Sequence, residues 1–365
     1  MKPVYFFTGF PGFISCQLLR ALLKKHEEID KMYCLVLPAL KKDAEDKIRE
    51  ILQQSSARDG KIVMIEGDIT RENLGIDEAV NAELRQSVTH VFHLAAIYDL
   101  AVPKEIAYRV NVDGTRHVNE WVLQLENLQR YTYFSTAYVA GTRTGLLKED
   151  ELLRPPAFKN FYEETKFAAE VFVEALKKQV PVTIIRPGIV KGHSKTGETT
   201  KFDGPYFFLN FMDRLKWLPL FPKLGKKEAV INLVPIDFIV EATLYLSHAP
   251  VGVGKTYHLT DPDPYPVTEV YEMMLMEMLG KRPKWKMPLF LIRLILSLSI
   301  FRKFFRVEKE TLDYLVWEGQ FDASHAQRDL REANITCPDL KEQIPSMVRF
   351  YLQNKHNESY QIRIR

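Results

Sequence analysis

Cysteine is scarce. Cys16, Cys34 and Cys337 are the only three in 365 residues, and they are far apart. Such spacing matches neither a disulfide framework nor a metal-ligand cluster and suits a reducing compartment, so the expected location is the cytoplasm. The nine histidines contain no H-E-x-x-H pattern, and no metal site is expected. An excess of one charge is missing too. Fifty basic side chains against 47 acidic ones leave a net charge of +3, which makes no case for a nucleic-acid partner. The opening "MKPVYFFTGFPGF" reaches glycine and proline too early for a signal-peptide core. No continuous apolar run spans a bilayer; the nearest, 287–301, is interrupted by Arg293.

What is present is a 46% hydrophobic chain, long enough for one large domain with a smaller lobe. Its first half alternates short apolar strands with helical segments. "VYFFTG" (4–9), "KMYCLVL" (31–37), "KIVMIEGD" (61–68), "THVFHLAA" (89–96), "RYTYFST" (130–136) and "VPVTIIRPG" (180–188) read as strands. Residues 12–25, 41–54, 104–125 and a stretch starting near Tyr162 read as helices. Strands apolar on both faces belong in a parallel sheet covered by helices, so the pattern predicts an α/β doubly wound fold. The rhythm breaks near 189. The expected organisation is a dinucleotide-binding core over 1–190, a substrate-lobe segment over 191–234, and a return to the core over 235–262. A mostly helical C-terminal lobe over 263–353 and a polar, loosely ordered tail over 354–365 complete it.

In "FFTGFPGFIS", Gly9 and Gly12 stand between the first strand and the first helix. Gly9 permits a tight turn, and Gly12 lets backbone approach a pyrophosphate at the helix N-terminus. The third small position is Ser15 instead of glycine, a departure from the usual fingerprint. The ribose-binding acid expected after the second strand is replaced by Leu37 and Pro38. Lys41 and Lys42 follow closely, where they would meet a 2′-phosphate or form the solvated face of the next helix. The reading leans to NADP over NAD.

Tyr162 and Lys166 in "NFYEETKFAAE" (160–170) share one helix face, as any i, i+4 pair does. Their neighbours in sequence give the pair meaning. The start T-G-x-x-G-x-x-S, "HLAA" at 93–96, "NVDGT" at 111–115, "FSTAYVAG" at 134–141, Y-x-x-x-K and "RPG" at 186–188 occur in one order over 180 residues. This set resembles the extended short-chain dehydrogenase/reductase family. The resemblance implies Tyr162 as proton donor and Lys166 as its positive neighbour and ribose contact. It implies Thr136, or alternatively Ser135, as holder of the substrate oxygen. Asn111 would support the lysine; its other reading is a polar residue that bends a helix. Cofactor contacts are implied for Thr8, Gly9, Pro11, Gly12, Phe13 and Ile14, for Asp68 and Ile69 near the adenine, and for Lys41. Leu94, Ala95 and Ala96 would form a wall, with Pro187, Gly188 and Ile189 on the nicotinamide side. His93, inside a buried strand, reads as a core histidine.

Within that family, "FSTAYVAGTRTGLLKEDEL", "FYEETKFAAEVFVEAL" and "TIIRPGIVKGHSKTGETTKFDGPYFFL" resemble the thioester-reductase and fatty acyl-CoA reductase branch over residues 1–250. The implied reaction is reduction of an acyl-CoA or carrier-bound thioester to an aldehyde, a separate acyl-carrier protein being a partner in the second case. A ketoreductase or secondary alcohol dehydrogenase on an apolar substrate is the alternative, ahead of a sugar-nucleotide epimerase or a non-catalytic cofactor binder. "WKMPLFLIRLILSLSIFRKFF" (285–305) is dense in Leu, Ile and Phe, and residues 281–310 hold nine Lys or Arg against two Glu. It reads as a buried helix, a lid over an acyl pocket, or a peripheral membrane contact. Family resemblance also implies a homodimer through the helices around 104–125 and 159–178.

Overall fold

The computed structural model describes residues 2–25, 29–55, 60–99, 101–362 and 364. Seven parallel strands build the main sheet: β1 (Val4–Thr8), β2 (Lys31–Val36), β3 (Ile62–Glu66), β4 (His90–His93), β5 (Arg130–Phe134), β6 (Val182–Pro187) and β7 (Thr256–Leu259). Their spatial order is β3-β2-β1-β4-β5-β6-β7. The chain is thus the doubly wound α/β fold that its rhythm predicts. The order reverses between β1 and β4, and ligands of such sheets bind outside the strand ends at that switch point.

The helices of the first half are α1 (Phe13–Lys25), α2 (Lys41–Gln53), α3 (Glu78–Ser87), α4 (104–122) and α5 (Phe161–Leu176). Then come α6 (Tyr206–Arg214) and α7 (Ile236–His248). The alternation of β1 shows why both faces of the sheet are covered. Tyr5 and Phe7 join the core under α1, α2 and α7, whereas Val4 and Phe6 join the one under α3, α4 and α5. Phe6 packs against Trp121 of α4 with ring centroids 4.4 Å apart. Helix α3 has no counterpart in the sequence reading. Its apolar stripe is thin, with Val80 exposed and Leu84 buried, and it is held by an Asp77 N-cap and by Trp121 Nε1 donating to Asn81 Oδ1 at 2.7 Å.

The lobe is built from α6 with α8 (Val267–Leu279), α9 (Leu289–Ser297), α10 (Ser299–Phe305) and α12 (Leu340–Asn354), around a separate core of Phe208, Tyr271, Leu296 and Met347. Helix α11 (Ser324–Leu330) departs from the expected division. It packs on the sheet domain, where Ala326 and Leu330 enter the first core and Tyr257 donates to Asp329 at 2.7 Å. In the polar tail, Tyr360 stacks on Phe202 at 5.2 Å and meets Phe350 edge-on at 5.6 Å, and its carbonyl accepts the Phe202 amide, so Tyr360 is anchored to the lobe.

Candidate active site

A cleft of about 1210 Å³ opens at the switch point and runs into the lobe. Its cofactor-side wall begins at the turn after β1. Gly9 adopts φ +83°, and a Cβ there would stand 2.7 Å from the Ala95 nitrogen, so the turn presses directly on the segment after β4. A Cβ on Gly12 would meet the Gly9 carbonyl at 2.7 Å. Ser15, the departure from the fingerprint, has a structural use: its hydroxyl donates to the carbonyls of Gly9 (3.0 Å) and Gly12 (2.9 Å). Helix α1 has no acid in its first turn, so nothing competes with an anion for its free amides. These features fit a dinucleotide pyrophosphate.

Gly9, Pro11, Gly12, Phe13, Ile14, Leu94 and Ala96 line the cleft, as do Pro187, Gly188 and Ile189 on the opposite side. Thr8 and Ala95 lie just behind: the Thr8 hydroxyl accepts the Ala95 amide at 3.1 Å. His93 is buried between hydroxyls, 2.7 Å from Thr8 and 3.1 Å from Thr115. Burial, helped by the Lys166 charge, lowers its pKa to about 3, which leaves it a neutral core residue. Lys41, Asp68 and Ile69 are not brought to the cleft wall. Lys41 donates to Glu66 at 2.6 Å on the surface; Asp68 caps its own turn by accepting the Thr70 amide at 2.8 Å; Ile69 is core. Arg20 and Lys47 reach the wall without having been foreseen, both paired with Glu50.

Helix α5 carries Tyr162 and Lys166 into the cleft. Asn160 caps it by accepting the Glu163 amide at 2.9 Å, and the Glu163 carboxylate accepts the Lys159 amide at 3.0 Å. Lys166 is 3% exposed and donates to the Tyr133 hydroxyl at 3.0 Å and to the Phe134 carbonyl at 2.5 Å. Burial pulls its pKa down to about 7, against an opposing pull from Glu170. Burial lifts the Tyr162 phenol to about 12, and the neighbouring Thr136 hydroxyl counters part of the rise. Thr136 and Ser135 both line the cleft, and their hydroxyls are held differently. The Ser135 hydroxyl donates to Glu170, which is locked to Arg186 at 2.5 Å with both side chains buried. Thr136 caps the turn that follows through the weaker 3.3 Å bond from the Tyr138 amide.

Asn111 makes its hydrogen bonds away from Lys166. It sits in a π-helical turn, Tyr108–Asp113, and its side chain clamps Ile97 through both backbone groups (2.8 and 3.0 Å) and donates to Thr165 at 3.0 Å. The helix is irregular there, and the clamp fixes Thr165, the residue before Lys166. A lobe contact that the sequence hid completes the site. Tyr314 donates to buried Glu163 at 2.7 Å, next to Tyr162, while the Lys159 ammonium lies 4.3 Å from the Trp317 ring centre and 5.1 Å from that of Tyr314. The far half of the cleft is apolar, walled by Phe207, Phe211, Leu215, Ile292, Leu296 and Phe305. Among the described residues, no group of His, Cys, Asp or Glu is placed to hold a metal ion.

Fold, phosphate turn and the helix that bears Tyr162 and Lys166 together make a doubly wound NAD-binding domain. The chain belongs to the male sterility protein family of NAD-binding domains, whose profile matches residues 7–243. The provisionally named fatty acyl-CoA reductase CG8303 of Drosophila melanogaster is 27% identical over 280 residues, covering 66% of this chain and 51% of that protein. The chain therefore spans about half the length of this relative. Among solved structures, the terminal R domain of the myxalamid PKS-NRPS pathway superposes with a TM-score of 0.81 at 24% identity, covering 98% of this chain and 92% of that one. A thiolation-reductase di-domain from an archaeal non-ribosomal peptide synthetase gives 0.73 at 20% identity, with 97% and 76% covered. Both structural likenesses concern the fold.

Proposed function

We propose that the chain is an NAD(P)H-dependent reductase of acyl thioesters, free as acyl-CoA or presented by a separate carrier protein, with an aldehyde as product. The supporting observation is one cleft that joins the phosphate turn, the Thr136–Tyr162–Lys166 set and a long apolar end. At about 1210 Å³ it exceeds the roughly 300–1,000 Å³ of a single-ligand pocket and has room for a dinucleotide and an acyl chain together. The names of the thiolation-reductase di-domain and of the insect acyl-CoA reductase point to the same substrate class.

A nicotinamide dinucleotide would be held by the Gly9–Gly12 turn and the start of α1 and, bound there, would supply hydride for the thioester carbonyl carbon. Negative charge then grows on the carbonyl oxygen, which the Thr136 hydroxyl holds by a hydrogen bond and Tyr162 protonates. A phenol near 12 keeps its proton at neutral pH until an alkoxide takes it. Lys166, when charged, stabilises the phenolate left behind. The C=O π bond has by then given way to new C–H and O–H bonds. The hemithioacetal next breaks its C–S bond, re-forms C=O, and passes the hydroxyl proton to sulfur, releasing aldehyde and thiol. For the cofactor, the missing acid at Leu37–Pro38 and exposed Lys42 favour a 2′-phosphate, and so NADPH. Exposed Leu123 just past α4 and exposed Val171 and Phe172 on α5 suit a pair of copies joined through those helices.

The test follows NADPH and NADH oxidation with acyl-CoA thioesters and ketones of matched tails while free thiol is assayed. Cofactor loss matched by thiol release is expected. Turnover of ketones with no thiol from thioesters would replace the proposal with a ketoreductase.

A further inference from the structure

The helix pair α9–α10 has two apolar faces. Its inner face closes the far end of the cleft with Ile292, Leu296 and Phe305. Its outer face shows Phe290 (66% exposed), Leu294 (64%), Leu298 (55%), Ile300 (71%) and Phe304 (49%). Positions 290 and 294 of α9 and 300 and 304 of α10 are each four apart, with Leu298 exposed at the joint between the helices, so the outward residues form a patch and are not scattered. Exposed apolar patches of this density are rare on a chain that works alone in water.

The composition around the patch indicates what covers it. Exposed Lys303 lies within α10, and exposed Arg282, Lys284 and Trp285 immediately precede α9. Residues 281–310 carry nine basic side chains against two acidic ones. Asp313 offsets Arg293 and Glu272 offsets Arg282, but the excess remains positive. Protein-binding hot spots favour Trp, Tyr and Arg and are poor in Leu. This face is mainly Leu, Ile and Phe with cations at its edge, the chemistry of a helix lying in a lipid interface. Among the described residues no helix is long and apolar enough to cross a membrane.

We infer that the outer face of α9–α10 docks on an anionic bilayer, so that long acyl chains pass from the lipid into the cleft behind the same two helices. The delivery step rests on the reductase reading above; the docking step does not.

Vesicle flotation with phosphatidylcholine, alone and mixed with phosphatidylserine, tests the docking on the full chain. The wild type is expected to float with the mixed vesicles and less with the neutral ones. Phe290→Asp/Leu294→Asp/Ile300→Asp removes three solvent-facing side chains that do not line the cleft, and each is expected to weaken binding about tenfold or more. Lys303→Glu leaves the apolar patch intact and weakens binding only to the anionic vesicles, by about fivefold or more. Circular dichroism and unchanged turnover of a short, water-soluble acyl thioester show that the variants fold. Mixed vesicles raise wild-type turnover of a long-chain thioester and leave that of the triple variant unchanged. A wild type that stays in solution, a triple variant that floats equally well, or docking without the long-chain gain overturns the inference. So does a patch that protects an acidic carrier protein and ignores vesicles. Absent thiol release on the short substrate would instead refute the reductase reading, with flotation unaffected.

Discussion

Gly9→Ala probes the phosphate turn through two separable effects. At φ +83° an alanine pays backbone strain of about 1–2 kcal/mol. Its methyl would also stand 2.7 Å from the Ala95 nitrogen and 2.8 Å from the Leu94 carbonyl carbon. These are backbone atoms just past the end of β4, so no rotamer change relieves the overlap, and overpacking of this kind costs about 1–3 kcal/mol. The sum, roughly 2–5 kcal/mol, is a large part of the ~5–15 kcal/mol that holds a typical domain together. Gly254 is the control. It has φ +74° with nothing within 4 Å of its Cβ position, so Gly254→Ala carries the strain alone. Urea unfolding and NADPH fluorescence titration on both variants separate the outcomes. Gly9→Ala either loses the full sum in stability or, if the turn rearranges around the methyl, binds cofactor at least about thirtyfold more weakly. Gly254→Ala loses about 1–2 kcal/mol and binds normally. If Gly9→Ala matched Gly254→Ala in both assays, close approach of the turn to β4 would not be what the glycine provides.

Tyr162→Phe removes the proposed acid while keeping the ring, and kcat should fall about 10²–10⁴-fold with the NADPH titration unchanged; full activity would refute its role. Lys166, buried to a pKa of about 7, loses its charge as pH rises through that value. The kcat/KM of the free enzyme should therefore be level at lower pH and decline above about 7, whereas a flat profile would mean that the charge is not needed. The sign for folding is opposite: between about 7 and 10.5 the unfolded chain binds the extra proton, so this group adds stability as pH rises. Glu170→Ala strands the Arg186 guanidinium, whose side chain is 2% exposed, and should cost about 3–5 kcal/mol in urea unfolding. A loss under about 1 kcal/mol would show that water reaches the arginine.

Strand and helix positions in the sheet domain were legible because each is written locally: apolar runs of strand length, glycines at the first turn, and Asn160 before the Tyr–Lys helix. Helix α3 escaped because its apolar stripe is short, although Asp77 before it was a readable cap. The site divides along the same line. Thr136, Tyr162 and Lys166 were singled out by an ordered set of motifs that resembles the extended short-chain dehydrogenase/reductase family, and the fold brings them to one cleft. The pairing of Lys41 with Glu66, 25 residues away in sequence, exists only because the sheet sets β2 beside β3.

The sequence by itself determined the parallel sheet, the phosphate turn and the helix that bears Tyr162 and Lys166, since period, turn chemistry and capping act within a few residues. Only the tertiary structure decided the rest. Ser15 became the tie between two glycine carbonyls, Ser135 was committed to the buried Glu170–Arg186 pair, and Tyr314 reached Glu163 across 151 positions. It also decided which side of α9 and α10 closes the cleft and which faces outward, because composition states how apolar a helix is, while only packing against α6 and the lobe core selects the side that is covered.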